Sequence, residues 1–211
     1  TNLTDLVPWG LWISIDLSSI ALAAGAFSIS AIAYILRRKE LIPVAKTAVY
    51  VGFVCYSIAM MMLLLDIGRP DRFWHGFVFW NIHSPLWEVT MCVGLYFTVL
   101  LMEVAPIIGH WEPVEHRFPR LSHRLGSLHA LTPYLAVIGL CLSTLHQSSL
   151  GLTYGNLIAR PIWARPIPMA LAFYISAIVG GIALVTCISL LAPRLTPRAR
   201  INKAALDKLA Y

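Results

Sequence analysis

Four ionisable side chains, Asp16, Asp66, Glu88 and His146, stand at one end of long apolar runs, each from a different run. Ionisable groups inside a bilayer are expensive, so each needs a physical reason. Carboxylates and an imidazole converging at one depth suit proton exchange with a reducible carbonyl headgroup such as that of a quinone, because imidazole titrates near neutrality. Asp16 follows Pro8-Trp9-Gly10-Leu11-Trp12 about 10 Å into its run at 1.5 Å per residue. It reads either as a hydrogen-bonding contact between helices or as a proton acceptor or headgroup partner. His146 opens the polar run His146-Gln147-Ser148-Ser149, all four able to hydrogen-bond. That run reads as a satisfied interfacial histidine or as a proton-passing group. Glu88 follows Ser84-Pro85-Leu86-Trp87, where an acid in a first helical turn also favours the helix dipole without any chemistry. Asp66-Ile67-Gly68-Arg69-Pro70-Asp71-Arg72 closes the second run. Asp66 and Arg69 are spaced to pair and fix the exit of the chain. The alternative is that Arg69 or Arg72 docks an acidic partner.

Other chemistries fit the spacing less well. A haem held between spans needs two histidines at matched depth on facing helices. His129 and His146 are instead about 25 Å apart along one run, and His75 and His83 fall in a connection. His110, His116, His123 and His129 lack the close spacing of a zinc motif. Cys55, Cys92, Cys141 and Cys187 are isolated, so the chain is not expected to house an iron–sulfur cluster, nor any metal. There is no nucleophile elbow, phosphate loop, GxGxxG or HExxH pattern. What remains is electron and proton transfer with a borrowed cofactor, or transport; a haem b subunit and half of a transporter are the competing classes.

The elements that must position these groups are transmembrane helices. Of the 211 residues 58% are hydrophobic and only 12% charged, and the mean hydropathy is +0.73, far from the roughly 25% charged usage of soluble domains. Five segments, 11–36, 47–66, 86–108, 128–147 and 168–192, are long and apolar enough to cross a core about 30 Å thick. The fold expected is an all-α integral membrane protein, a four-helix bundle plus one helix. The first span lacks a preceding basic stretch and is expected to stay in the mature protein. Of the 16 Lys and Arg, twelve fall in alternate connections on one side and four on the other. The positive-inside rule then puts the N-terminus outside and residues 193–211 in the cytoplasm as a basic tail, so the net charge of +6 reports topology rather than nucleic-acid binding. Connections 67–85 and 148–167, rich in aromatics and proline, are expected to lie at the membrane interface. The connection 109–127 reads as an ordinary polar loop. Ala21-Ala23-Ala24-Gly25-Ala26 and Ala177 with Gly181 form small-residue faces suited to close helix packing.

The blocks Pro8 to Asp16, Asp66 to Trp74, Ser84 to Glu88 and Leu145 to Gly151 together resemble the polysulfide-reductase membrane subunits of NrfD type, in the branch holding the HybB hydrogenase "cytochrome b" subunit and the DsrP-like subunits. The resemblance covers nearly the whole chain. It implies a subunit of the inner (cytoplasmic) membrane that binds menaquinone or ubiquinone at its outer face. Such a subunit exchanges electrons with a ferredoxin-like iron–sulfur subunit, alongside a catalytic or multihaem subunit. Asp16, Glu88 and His146 fall on the family's polar positions at the quinone end; Trp9, Trp12, Gln147 and Tyr154 are expected to border the headgroup. Members usually have eight to ten spans in two bundles, so five spans correspond to the first bundle plus one helix, as in a fragment of a longer subunit.

Overall fold

The computed structural model describes residues 10–67, 69–157, 161 and 163–195. Among them the chain is helical without strands: α1 (Leu11–Ile35), α2 (Ile42–Asp66), α3 (His75–Val78), α4 (Pro85–Gly109), α5 (Glu112–Arg117), α6 (Pro119–Ser127), α7 (Thr132–Gly155) and α8 (Pro166–Leu195). Five helical segments are long and apolar enough to span a membrane: Leu11–Ile35, Ile42–Leu65, Trp87–Gly109, Pro119–Gly155 and Pro166–Ala192. The chain is thus an all-α, multi-pass membrane protein. With no water in the hydrocarbon, the backbone must pair internally, and the helix is the element that does so within one segment.

Helix starts follow the prolines. α2, α4, α6 and α7 each carry Pro in the first two positions, where its missing N–H costs nothing and its fixed φ suits the helix. At α4 the Ser84 hydroxyl also accepts from the Trp87 N–H at 3.4 Å. Pro43 lets α2 begin at Ile42, earlier than the apolar run alone implies.

The larger departure is at α7, which runs to Gly155 instead of stopping at 147. The polar residues after His146 do not break it, because their hydroxyls bond back to the helix. Ser149 donates to the Leu145 carbonyl and Thr153 to the Ser149 carbonyl, both at 2.8 Å. The connection 109–127 is likewise no simple loop; it folds into α5 and the amphipathic α6.

α1, α2, α4 and α7 enclose one core, and α8 packs outside it across α1 and α7. Each of the four helices sends one ring to the middle. Phe27 meets Tyr96 edge-on at 5.6 Å, Tyr96 meets Tyr56 at 5.0 Å, and Tyr56 meets His146 at 5.9 Å. Phe27 fits over Gly139, where a Cβ would strike its ring. The small-residue faces pair as their composition implies: a Cβ on Gly25 would run into the Ala177 carbonyl, and one on Gly181 into the Ala26 amide. α1 and α8 therefore touch backbone to backbone, the way membrane helices gain dispersion energy where no hydrophobic effect acts between them.

Between α2 and α4 the chain folds back onto the bundle. The Trp87 indole donates to the Gly76 carbonyl at 2.9 Å, and Phe77 lies over Gly94. Phe73, Trp74, Phe79 and Trp80 remain exposed, the arrangement of an aromatic belt at a membrane surface.

Candidate functional site

The polar residues near one end of the bundle come from three helices and lie deep. Asp16, on the second turn of α1, is 4% exposed, and His146 of α7 is 1% exposed. With α7 extended to Gly155, His146 lies nine residues, about 13 Å, inside its helix end rather than at the rim. The expectation of a rim histidine is thereby corrected: its imidazole is a core group. Its Nδ1 is 3.2 Å from the Tyr56 hydroxyl, itself fully buried on α2. The His146 Nε2, equally buried, has no hydrogen-bond partner within the described chain. Asp16 is buried on the adjoining α1. A carboxylate, a phenol and an imidazole thus share the bundle interior.

Gln147 has a different place from its neighbour. Its amide nitrogen donates to the Ile20 carbonyl at 3.3 Å with the side chain fully buried, tying α7 to α1 one turn below Asp16. Glu88 is half-buried on the first turn of α4, and its own N–H bonds the Ser84 carbonyl at 3.1 Å. An acid there faces the positive end of the helix. Trp12 is exposed on the first turn of α1, while Tyr154 stacks on Phe173 of α8 with centroids 5.6 Å apart. Trp9, and the side chain of Asp66, lie outside the described residues.

Arg69 and Arg72 are both exposed beside the exposed aromatic segment. Arg69 pairs with Asp71 at 3.1 Å, and Arg72 approaches the same carboxylate at 3.9 Å. Ion pairs this open to solvent add little stability. They leave one net positive charge on that surface.

Two participants escaped the sequence reading. Tyr56 and Tyr96 sit in apolar runs and look like core filler. The available signal is that a buried tyrosine needs a partner for its hydroxyl, and these find His146 and the Ala23 carbonyl, the latter at 3.5 Å. Glu103, near the far end of α4, is 4% exposed, with neither carboxylate oxygen hydrogen-bonded within the described chain.

A multi-pass helical bundle with titratable groups gathered in its interior is the class that fold and site define. The polysulphide reductase, NrfD, family model matches residues 1–211, and the chain belongs to that family. It is 38% identical to the integral membrane subunit of menaquinone reductase from Nitratidesulfovibrio vulgaris, covering 100% of this chain and 52% of that protein. It is 26% identical to the probable Ni/Fe-hydrogenase 2 b-type cytochrome subunit of Escherichia coli, over 88% of this chain and 47% of that one. A selenate reductase subunit from Mesobacillus selenatarsenatis is 24% identical, over 86% of this chain and 48% of its own. The chain spans about half the length of the curated relatives it matches. No solved structure matches it.

Proposed function

We propose that this chain is the quinone-binding part of the membrane anchor of a respiratory oxidoreductase. In this reading electrons pass between a membrane quinone, menaquinone or ubiquinone, and an iron–sulfur subunit on the outer face, with a catalytic or multihaem subunit beyond it. The observation that carries this is the buried Tyr56–His146 bond in the same bundle interior as the buried Asp16, in a family whose members include the membrane subunit of a menaquinone reductase. Reducing a quinone to a quinol takes two electrons and two protons, and the protons must reach two carbonyl oxygens. His146 Nε2 is a ring nitrogen without a protein partner, suited to hydrogen-bond one of them. Asp16 is the carboxylate suited to exchange a proton, with Glu88 toward the surface as a further acid. Trp12 and Tyr154 border the approach from the membrane face, and Gln147 acts by holding α1 against α7.

The same reading places the Asp16 end outside and the basic end in the cytoplasm, in the inner membrane. Arg69 and Arg72, beside the exposed aromatic segment, give the iron–sulfur subunit a positive surface on which to dock.

The test is quinone-linked turnover against turnover with a soluble dye that bypasses the quinone. Asp16→Asn and His146→Ala should each lower the quinone-linked rate about a hundredfold or more, from the lower end of the range for a positioned proton-transfer group, and leave the dye rate intact. Wild-type quinone turnover in both variants sinks the assignment. Charge reversal at Arg69 and Arg72 together should weaken retention of the iron–sulfur subunit during purification, with an effect that grows as salt is lowered. Unchanged retention at low salt counts against that docking face.

A further inference from the structure

At the opposite end of the bundle from Asp16 a cavity of about 400 Å³ opens among four chain segments, with Tyr34, Lys46, Glu103, His110, His129 and Thr132 on its walls. This is the basic end, where Arg37, Arg38, Arg117, Arg120 and Arg124 also lie. Its volume is in the range of small-ligand sites.

The charges within it are unpaired in an informative way. Glu103 is 4% exposed, and both its oxygens are buried without a hydrogen bond within the described chain. A carboxyl held like that is satisfied either by a proton or by a cation brought to it through the cavity. Lys46, on the next helix and facing the same cavity, is exposed and makes no ion pair with Glu103. An acid at the floor and a base at the rim, not in contact with each other, are complementary to a ligand that carries a cation ahead of an anion. A lone anion would meet the Glu103 charge. A bare metal ion is poorly served too, since no group of three His, Cys, Asp or Glu side chains fit to hold one occurs among the described residues.

Depth narrows the source. Glu103 lies six residues before the end of α4 and Lys46 four residues after the start of α2, about 9 Å and 6 Å along their helices. The headgroup layer of a bilayer is about 5–8 Å thick on each side. With these helix ends at the aqueous surface, that depth is where lipid headgroups meet the hydrocarbon.

We propose that this cavity binds a phosphoethanolamine group, the headgroup of an aminophospholipid, with its ammonium on Glu103 and its phosphate on Lys46. The ammonium brings three N–H donors to the two orphaned carboxylate oxygens. The Tyr34 hydroxyl and the Thr132 hydroxyl, the latter 3.4 Å from His129 Nδ1, add polar groups to the same walls. This site is separate from the proposed quinone chemistry and does not depend on it.

Native mass spectrometry of the full-length protein in mild detergent, offered equal amounts of phosphatidylethanolamine and phosphatidylglycerol with matched acyl chains, tests the site. Wild type should retain the ethanolamine lipid at least about tenfold over the glycerol lipid, the ratio one charge-assisted contact supplies. Glu103→Gln should abolish that preference. Lys46→Met, at an exposed position that tolerates change, should release the ethanolamine lipid as well, and an unchanged unfolding midpoint shows each variant folded. Soluble O-phosphoethanolamine that displaces the lipid at equal concentration identifies a free aminoalkyl phosphate as the ligand; failure to displace it identifies the lipid. Equal retention of both lipids by wild type overturns the proposal. So does an undiminished preference in Glu103→Gln, which would mean that the carboxyl is satisfied by a proton instead.

Discussion

Tyr56 and His146 share one hydrogen bond in a place no water reaches, so the two side chains define each other. If the phenol donates, Nδ1 is bare and the proton sits on Nε2; if Nδ1–H donates, Nε2 is the open acceptor. Either way the hydroxyl fixes which form of the ring meets a ligand. Tyr56→Phe keeps the ring packing against Tyr96 and removes only that oxygen, leaving the His146 Nδ1 buried and unsatisfied. The expected cost is about 1–3 kcal/mol, the penalty for an orphaned buried polar group. It is measurable as a lower unfolding midpoint in detergent, together with reduced quinone-linked turnover at full dye activity. Tyr96→Phe is the comparison. Its hydroxyl reaches the Ala23 carbonyl at 3.5 Å and also bonds the Ser143 side chain, away from His146, so its loss should lower the unfolding midpoint but spare turnover. Equal effects of the two would remove the special standing of the Tyr56–His146 pair.

At the scale of elements, α1 is the helix on which the others depend, and its contact with α8 has no spare room. Gly25→Ala sets a methyl against the Ala177 carbonyl, a backbone atom that no rotamer change can move aside. Overpacking of this kind costs about 1–3 kcal/mol. Gly10→Ala, at the start of the same helix, meets nothing within 4 Å and should be close to neutral. Comparing their unfolding midpoints separates close helix approach from any general intolerance of α1. The small-residue pattern itself was legible in the sequence. The continuation of α7 was not, because His146-Gln147-Ser148-Ser149 has the composition of a helix end. It persists since its hydroxyls bond within the helix and its buried side chains reach neighbouring helices.

The whole molecule is an apolar bundle with polar clusters toward its two ends. Along α8 the exposed Ile167, Leu171, Ile175 and Val179 recur every four residues, an apolar stripe matched to lipid. The alternate-loop charge split predicts that Asn81→Cys is labelled by an impermeant maleimide from outside the cell and His123→Cys only after permeabilisation. The reverse pattern would invert the proposed orientation and move the quinone chemistry to the cytoplasmic side. His146 is also the one histidine of the seven carried by α1, α2, α4, α7 or α8. A bis-histidine haem would need a second at its depth, so the reduced-minus-oxidised spectrum of the purified chain is expected to show no haem α-band.

What the sequence determined by itself was the solvent, the number of crossings and the family, because these rest on composition, run length and local motifs that any segment carries wherever it ends up. It also marked Asp16 and His146 as costly residues in need of a reason. The tertiary structure decided their company. α1 and α2 are apolar all round, so no hydrophobic periodicity says which face turns inward. Helix rotation and depth are set by contacts such as Gly25 on Ala177 and Phe27 over Gly139. Those contacts bring Tyr56 to His146, commit Gln147 to α1, and leave Glu103 unpaired in a cavity it shares with Lys46.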